Sequence, residues 1–178
     1  LLPGVEEVIA VDDGSTDDTA GEAARAGARV LRLTRHSGKG AALSRGVQAS
    51  EEQILLLLDA DVEGSARGAA PLIERVASGQ ADLAVGVLPS PTGGRAGGFG
   101  LALGLGRWGL YVLSGRRFSA PLSGQRALTH ELALRLVKRW PPGFGVEVAM
   151  TADAVAAGAR VEEIAVDVGH AATGRTLA

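Results

Sequence analysis

Ile54-Leu55-Leu56-Leu57-Leu58-Asp59-Ala60-Asp61 runs from an unbroken apolar stretch into two carboxylates separated by one alanine. A short apolar run with no polar alternation reads as a strand covered on both faces, the pattern of the centre of a parallel sheet. The two aspartates then fall at its carboxyl end. Working upstream, residues 5–11 are apolar and β-branched apart from Glu6 and Glu7 and end in Asp12-Asp13-Gly14, which reads as a second buried strand and its turn. Ser15 or Thr16 is placed to cap a helix with Asp17 and Asp18 in its first turn, and Gly27 stops it. Residues 29–33 read as a strand, 34–40 as a loop and 41–49 as a helix. Downstream, 66–77 read as a helix and 81–88 as a strand. Strands that alternate with helices in this way predict an α/β domain with a largely parallel sheet. Such sheets bind ligands outside the carboxyl ends of their strands, where both acidic clusters lie.

The remainder is less regular. Residues 89–98 are rich in Pro and Gly and read as a mobile loop. Residues 99–113 read as a helix weakened by four glycines, followed by Arg116-Arg117, which with Arg126 forms a basic cluster in the sequence. Helices are predicted over 129–139, closed by Pro141-Pro142, and over 146–157, ending at Gly158. A last strand covers 160–168, followed by His170.

The bulk composition narrows the function. The chain has 178 residues and a net charge of −2, with 46% hydrophobic and 21% charged residues. That is enough chain for one well-packed domain and gives no electrostatic case for a nucleic-acid partner. No cysteine is present, which removes disulfides and thiolate metal sites. No apolar stretch approaches the ~20 residues of a transmembrane helix, and no signal peptide is visible, so the expected location is cytoplasmic or peripheral at the inner membrane face. The chain opens on Leu1-Leu2-Pro3-Gly4 and closes on Thr176-Leu177-Ala178, which reads as a single domain over 1–178 trimmed at both ends.

Three short constellations carry chemistry. Asp59 and Asp61 can converge on one hard divalent cation, because Mg²⁺ takes one or two carboxylates and completes its shell with water and phosphate oxygens. A solvated strand end is the bland alternative. Asp13, at the end of the first strand, can accept hydrogen bonds from a base N–H or a ribose hydroxyl, while Gly14 permits the turn that follows. Ser37-Gly38-Lys39-Gly40 offers backbone N–H groups and one ammonium to a phosphate, but lacks the spacing of a P-loop, so taken alone it reads first as an ordinary loop.

Taken in order, Val11-Asp12-Asp13-Gly14-Ser15-Thr16-Asp17, His36-Ser37-Gly38-Lys39-Gly40 and Leu57-Leu58-Asp59-Ala60-Asp61 resemble family 2 glycosyltransferases of the GT-A fold. Ser123-Gly124-Gln125-Arg126 and Gly143-Phe144-Gly145-Val146-Glu147 are similar to acceptor-side motifs of polyprenyl-phosphate sugar synthases and glucosyl-phosphoglycerate synthases. The resemblance implies a Rossmann-like three-layer sandwich with a mostly parallel central sheet, its nucleotide-binding part over about 1–90 and its acceptor side over about 91–178. It implies nucleotide-sugar binding by Asp13, Gly14, Lys39, Gly40, Asp59 and Ala60, and Mg²⁺ or Mn²⁺ on Asp61, Asp59 and His170. Glu147 is implied as the base for inverting transfer of a hexose, glucose from UDP-glucose being the expected donor. Ser123, Gly124 and Arg126 are implied to bind the acceptor, a phosphorylated small molecule or a polyprenyl phosphate. No nucleic-acid partner is expected, and a homodimer is compatible with the sequence. His36 and His130 read as a loop and a surface residue. Members of the family begin with a further strand, ending in a Pro-Ala-x-Asn-Glu-like segment, that has no counterpart here.

Two other functions share parts of this pattern. A haloacid-dehalogenase-like phosphatase also places Asp-x-Asp after an apolar strand, but Val62-Glu63 departs from its pattern. A non-catalytic nucleotide-sugar-binding module is the other, and the retention of both Asp59 and Asp61 argues against it.

Overall fold

The computed structural model describes residues 4–88, 99–143 and 145–169. His170 and the loop at 89–98 lie outside them. The first strand, β1 (Ile9–Asp12), pairs in parallel with β2 (Arg29–Arg32), with α1 (Thr19–Arg25) as the crossover. A second sheet contains β3 (Ile54–Leu57), β4 (Leu83–Val87), β5 (Arg126–Thr129) and β6 (Val161–Ala165) in the order β3-β5-β4-β6. β4 and β6 are parallel, and β5 runs antiparallel to both of its neighbours. The sheet is therefore mostly parallel as expected, with one reversed strand that sequence reading did not find. Among the described residues no strand bonds both β1 and β3, so the expected single sheet is split into two.

Alternation along the strands builds three layers. Leu55, Leu83, Val85 and Leu128 face one side, where they pack with Val47, Leu110, Leu132 and Met150. Those partners come from α2 (Lys39–Ala49), α4 (Phe99–Ser114), α5 (His130–Leu136) and α6 (Val146–Ala156). Ala84 and Ala127 face the other side, against Leu72 and Val76 of α3 (Ala70–Ala77) and Val62 of the 3-10 stretch Ala60–Ala69. Successive strand residues point to opposite faces, so each strand feeds both cores. Among the described residues no helix is long and apolar enough to cross a membrane.

Several boundaries differ from the sequence reading, each for a physical reason. α1 starts at Thr19, because Asp17 accepts bonds from the Thr19 amide and hydroxyl, whereas the Ser15 amide is turned back onto Asp12 at 2.8 Å. Neither Ser15 nor Thr16 is its cap. The helix expected over 66–77 is entered through the 3-10 stretch, whose Gly68 lies so close to Asp167 that a Cβ there would meet the Asp167 carbonyl oxygen at 1.9 Å. The helix expected over 129–139 is present as α5 from His130, continued by a short 3-10 turn, while Thr129 belongs to β5. Thr129 ends the strand and caps α5, its hydroxyl accepting the Leu132 amide at 3.3 Å. His130 is half-buried, with its Nε2 3.1 Å from the Val47 carbonyl oxygen.

Candidate functional site

The first surprise at the carboxyl end of β3 is where α2 begins. Lys39 and Gly40 belong to its first turn, not to the loop read from sequence. Gly38, with φ of +93°, turns the chain into the helix. Both Asp13 carboxylate oxygens hold that turn, accepting the Ser37 and Gly38 amides at 2.7 Å each. His36 Nδ1 stands 2.9 Å from Asp13 Oδ2. Gly14, at φ +84°, allows the two segments to meet, for a Cβ there would be 3.0 Å from the His36 nitrogen.

The turn at Pro141-Pro142 closes on the same helix start. The Pro142 carbonyl accepts the Ala41 amide at 3.0 Å, and a Cβ on Gly40 would stand 1.8 Å from the Pro141 oxygen. Sequence reading treated these prolines as a helix stop alone. The pair of glycines in Ser37-Gly38-Lys39-Gly40 was the available signal that another backbone approaches here.

This packing brings three charged groups together. Lys39 Nζ is 2.6 Å from Asp59 Oδ1 and 2.5 Å from Glu147 Oε1. Lys39 opens α2, Asp59 immediately precedes the 3-10 stretch that begins at Ala60, and Glu147 lies in the first turn of α6. Three helix starts thus converge, each presenting the positive end of its peptide dipoles. A lysine is badly placed at such an end, and the two carboxylates compensate it. Burial pulls the Lys39 pKa down, but the bonds to Asp59 and Glu147 outweigh this and leave it raised. Asp61 follows one residue beyond Ala60. Among the described residues no three Asp, Glu or His gather to hold a metal, but Asp59 and Asp61 offer the one or two carboxylates that a hard divalent ion takes beside water and phosphate oxygens.

The acceptor-side candidates lie directly beneath. Gly124 abuts the Asp59 carboxylate. Ser123 is buried, its hydroxyl 3.3 Å from Gln125 Oε1. Arg126 is 1% exposed, which breaks up the basic cluster read from the sequence. Its guanidinium donates to the Ser123 carbonyl at 2.8 Å, to Thr151 Oγ1 at 2.8 Å and to the Pro121 carbonyl at 3.1 Å. Burial pushes its pKa down to about 10, against the attraction of Glu147, Asp59 and Glu163. Arg116 and Arg117 are turned elsewhere, over the rings of Phe118 and Tyr111.

The family model described as glycosyl transferase family 2 matches residues 3–102. This chain belongs to glycosyl transferase family 2. The glucosyl-3-phosphoglycerate synthase of Mycolicibacterium paratuberculosis is 33% identical over 170 residues, which is 84% of this chain and 50% of that protein. The crystal structure of glucosyl-3-phosphoglycerate synthase from Mycobacterium tuberculosis with phosphoglyceric acid superposes with a TM-score of 0.77 at 28% identity, covering 97% of this chain and 63% of that one. A second structure of that enzyme, with Mn²⁺, UDP-glucose and phosphoglyceric acid, gives 0.75 at 27% identity, covering 97% and 62%. The fold is that of the GT-A glycosyltransferases, as the resemblance implied, and the phosphatase alternative falls with it. The chain spans about half the length of the first of these relatives.

Proposed function

We propose that the chain is the donor-binding and acceptor-facing core of a glycosyltransferase that moves glucose from UDP-glucose to a phosphorylated small molecule. The observation that carries this is the junction of Lys39 with Asp59 and Glu147 at the carboxyl end of β3. It joins the nucleotide side of the fold, in the first 90 or so residues, to the acceptor side beyond. The similar synthase of known structure, holding Mn²⁺, UDP-glucose and phosphoglyceric acid, supports the choice of donor and acceptor class.

In this reading Asp61 and Asp59 hold Mg²⁺ or Mn²⁺, and the outside candidate His170 completes the set. The ion supplies neutralising charge to the diphosphate leaving group. Asp13, already committed to the Ser37 and Gly38 amides, keeps lone pairs for the base or ribose and fixes the loop that Gly14 and Gly40 allow to approach. Lys39 and the convergent helix starts attract the diphosphate. Glu147 accepts the acceptor proton, as an inverting mechanism requires. Ser123 and Gly124 shape the floor of the site. Arg126, being enclosed, positions the 121–123 segment and α6 and touches no ligand.

The test is calorimetric titration of UDP, UDP-glucose and GDP-mannose with and without Mn²⁺, on wild type and Asp61→Ala. Metal-dependent uridine-nucleotide binding that is lost in the variant supports the reading. Binding that is equal with and without metal, or unaltered by the substitution, overturns it.

A further inference from the structure

Lys39 already engages Asp59, one of the two carboxylates to which a divalent ion is assigned. Its ammonium engages Asp59 through Oδ1. The other oxygen, Oδ2, lies against Gly124, where a Cβ would be 2.1 Å away. Asp59 therefore has one oxygen bound to a cation and the other against backbone. Glu147, buried, shares the same ammonium. Three features make this more than a surface ion pair. The junction is partly shielded from solvent, the Glu147 side chain being 9% exposed and those of Lys39 and Asp59 29% and 27%. It ties three elements together. It also sets a positive side chain against the positive end of α2, so the arrangement depends on the carboxylates rather than on the helix. A divalent ion approaching Asp59 meets a like charge at hydrogen-bond distance, in a setting where screening by water is reduced.

We propose that Lys39 is the resident counterion of this site: it neutralises Asp59 and Glu147 while no donor is bound, and thereby makes divalent-metal binding depend on the nucleotide diphosphate. A diphosphate gives the ammonium another anionic partner, and with the Lys39 charge drawn toward it Asp59 is released for metal. Metal alone lacks that exchange and binds weakly. By linkage, the nucleotide and the metal strengthen each other, and part of that coupling passes through Lys39. The inference rests on the donor-site reading above and adds to it a residue that controls the order of occupancy.

The experiment is a Mn²⁺ titration followed by electron paramagnetic resonance of the free ion, with and without UDP, on wild type, K39M, K39R and the double variant K39M/D59N. Without UDP, K39M is expected to bind Mn²⁺ about tenfold more tightly than wild type, the scale of losing one close, partly shielded like charge. K39R, which keeps the cation, stays near wild type, and K39M/D59N loses the gain. UDP tightens Mn²⁺ binding less in K39M than in wild type. Circular dichroism and thermal melting establish that each variant is folded, and K39Q replaces K39M should the methionine not be accommodated. Unchanged or weaker Mn²⁺ binding in the neutral variants, or a gain that persists in K39M/D59N, overturns the proposal. Failure of the donor-site reading looks different: wild type then binds no Mn²⁺ even with UDP, and both fall together.

Discussion

Gly124 lies directly against the Asp59 carboxylate: a Cβ on residue 124 would be 2.1 Å from Asp59 Oδ2 and 2.5 Å from Oδ1. The obstructed group is the end of a side chain and not a backbone, so the cheapest response to an added methyl is rotation of Asp59 away from Lys39. G124A is therefore expected to remain folded, with stability within about 1 kcal/mol of wild type. Transfer is expected to fall about tenfold or more, because small misplacements of reacting or binding groups are costly. Paired measurements of kcat/KM and melting temperature check this. Loss of folding with normal specific activity in the folded fraction would contradict it.

Glu147 has a sharper test, because its assigned task fixes both a rate and a stereochemistry. E147Q keeps the shape of the side chain and removes its capacity to take a proton. A fall in kcat of about 10²–10⁴-fold is the expected result for a general base. Nuclear magnetic resonance of the product anomer is the second arm. Inversion accompanies a base at this position, whereas retention of the donor configuration takes that role away from Glu147 and leaves it as a partner of Lys39.

Gly40 carries a different kind of constraint. The atom that a Cβ would strike, at 1.8 Å, is the backbone oxygen of Pro141, which cannot rotate aside. G40A must separate the start of α2 from the 141–142 turn, or else strain both. The expected cost is about 1–3 kcal/mol, the range for overpacking a close contact, read as a lower denaturant midpoint. Donor binding should weaken as well, since the same contact brings Lys39 to Glu147.

These three positions also show what the sequence could and could not disclose. β3 with Asp59 and Asp61 was legible because a fully apolar run needs no tertiary partner to be recognised. β5 was not. Arg126-Ala127-Leu128-Thr129 has little strand character, and its arginine is tolerated in the core only through Ser123, Pro121 and Thr151, which no local pattern announces. The start of α2 was missed for a related reason. A lysine at a helix N-terminus is locally unfavourable, and the Asp59 and Glu147 carboxylates that reverse this are distant in the chain. The candidate residues were therefore readable one by one, while the contacts that join them depend on tertiary packing.

Asp82 and Arg160 supply the pH test. They precede β4 and β6, and the Asp82 carboxylate accepts the Arg160 amide at 2.8 Å, its Nε at 3.1 Å and its Nη2 at 2.6 Å. The hydrogen bonds from the Arg160 side chain hold the Asp82 carboxyl below its ordinary value, against a smaller opposing effect of burial. A carboxyl whose folded pKa is depressed stabilises the fold above its unfolded pKa, and that stabilisation is lost as pH falls through the folded value. The window therefore lies below about pH 4, the unperturbed aspartate value. D82N is expected to be less stable than wild type at pH 7 by about 1 kcal/mol, a figure kept small because the arginine is largely solvated. As the pH falls below about 4, the wild type loses this advantage and the two denaturation curves converge. Urea unfolding of both proteins at pH 7 and at pH 3 measures it. A difference that stays constant across this range would mean that the charge on Asp82 is irrelevant and that hydrogen-bond geometry alone joins the two strands.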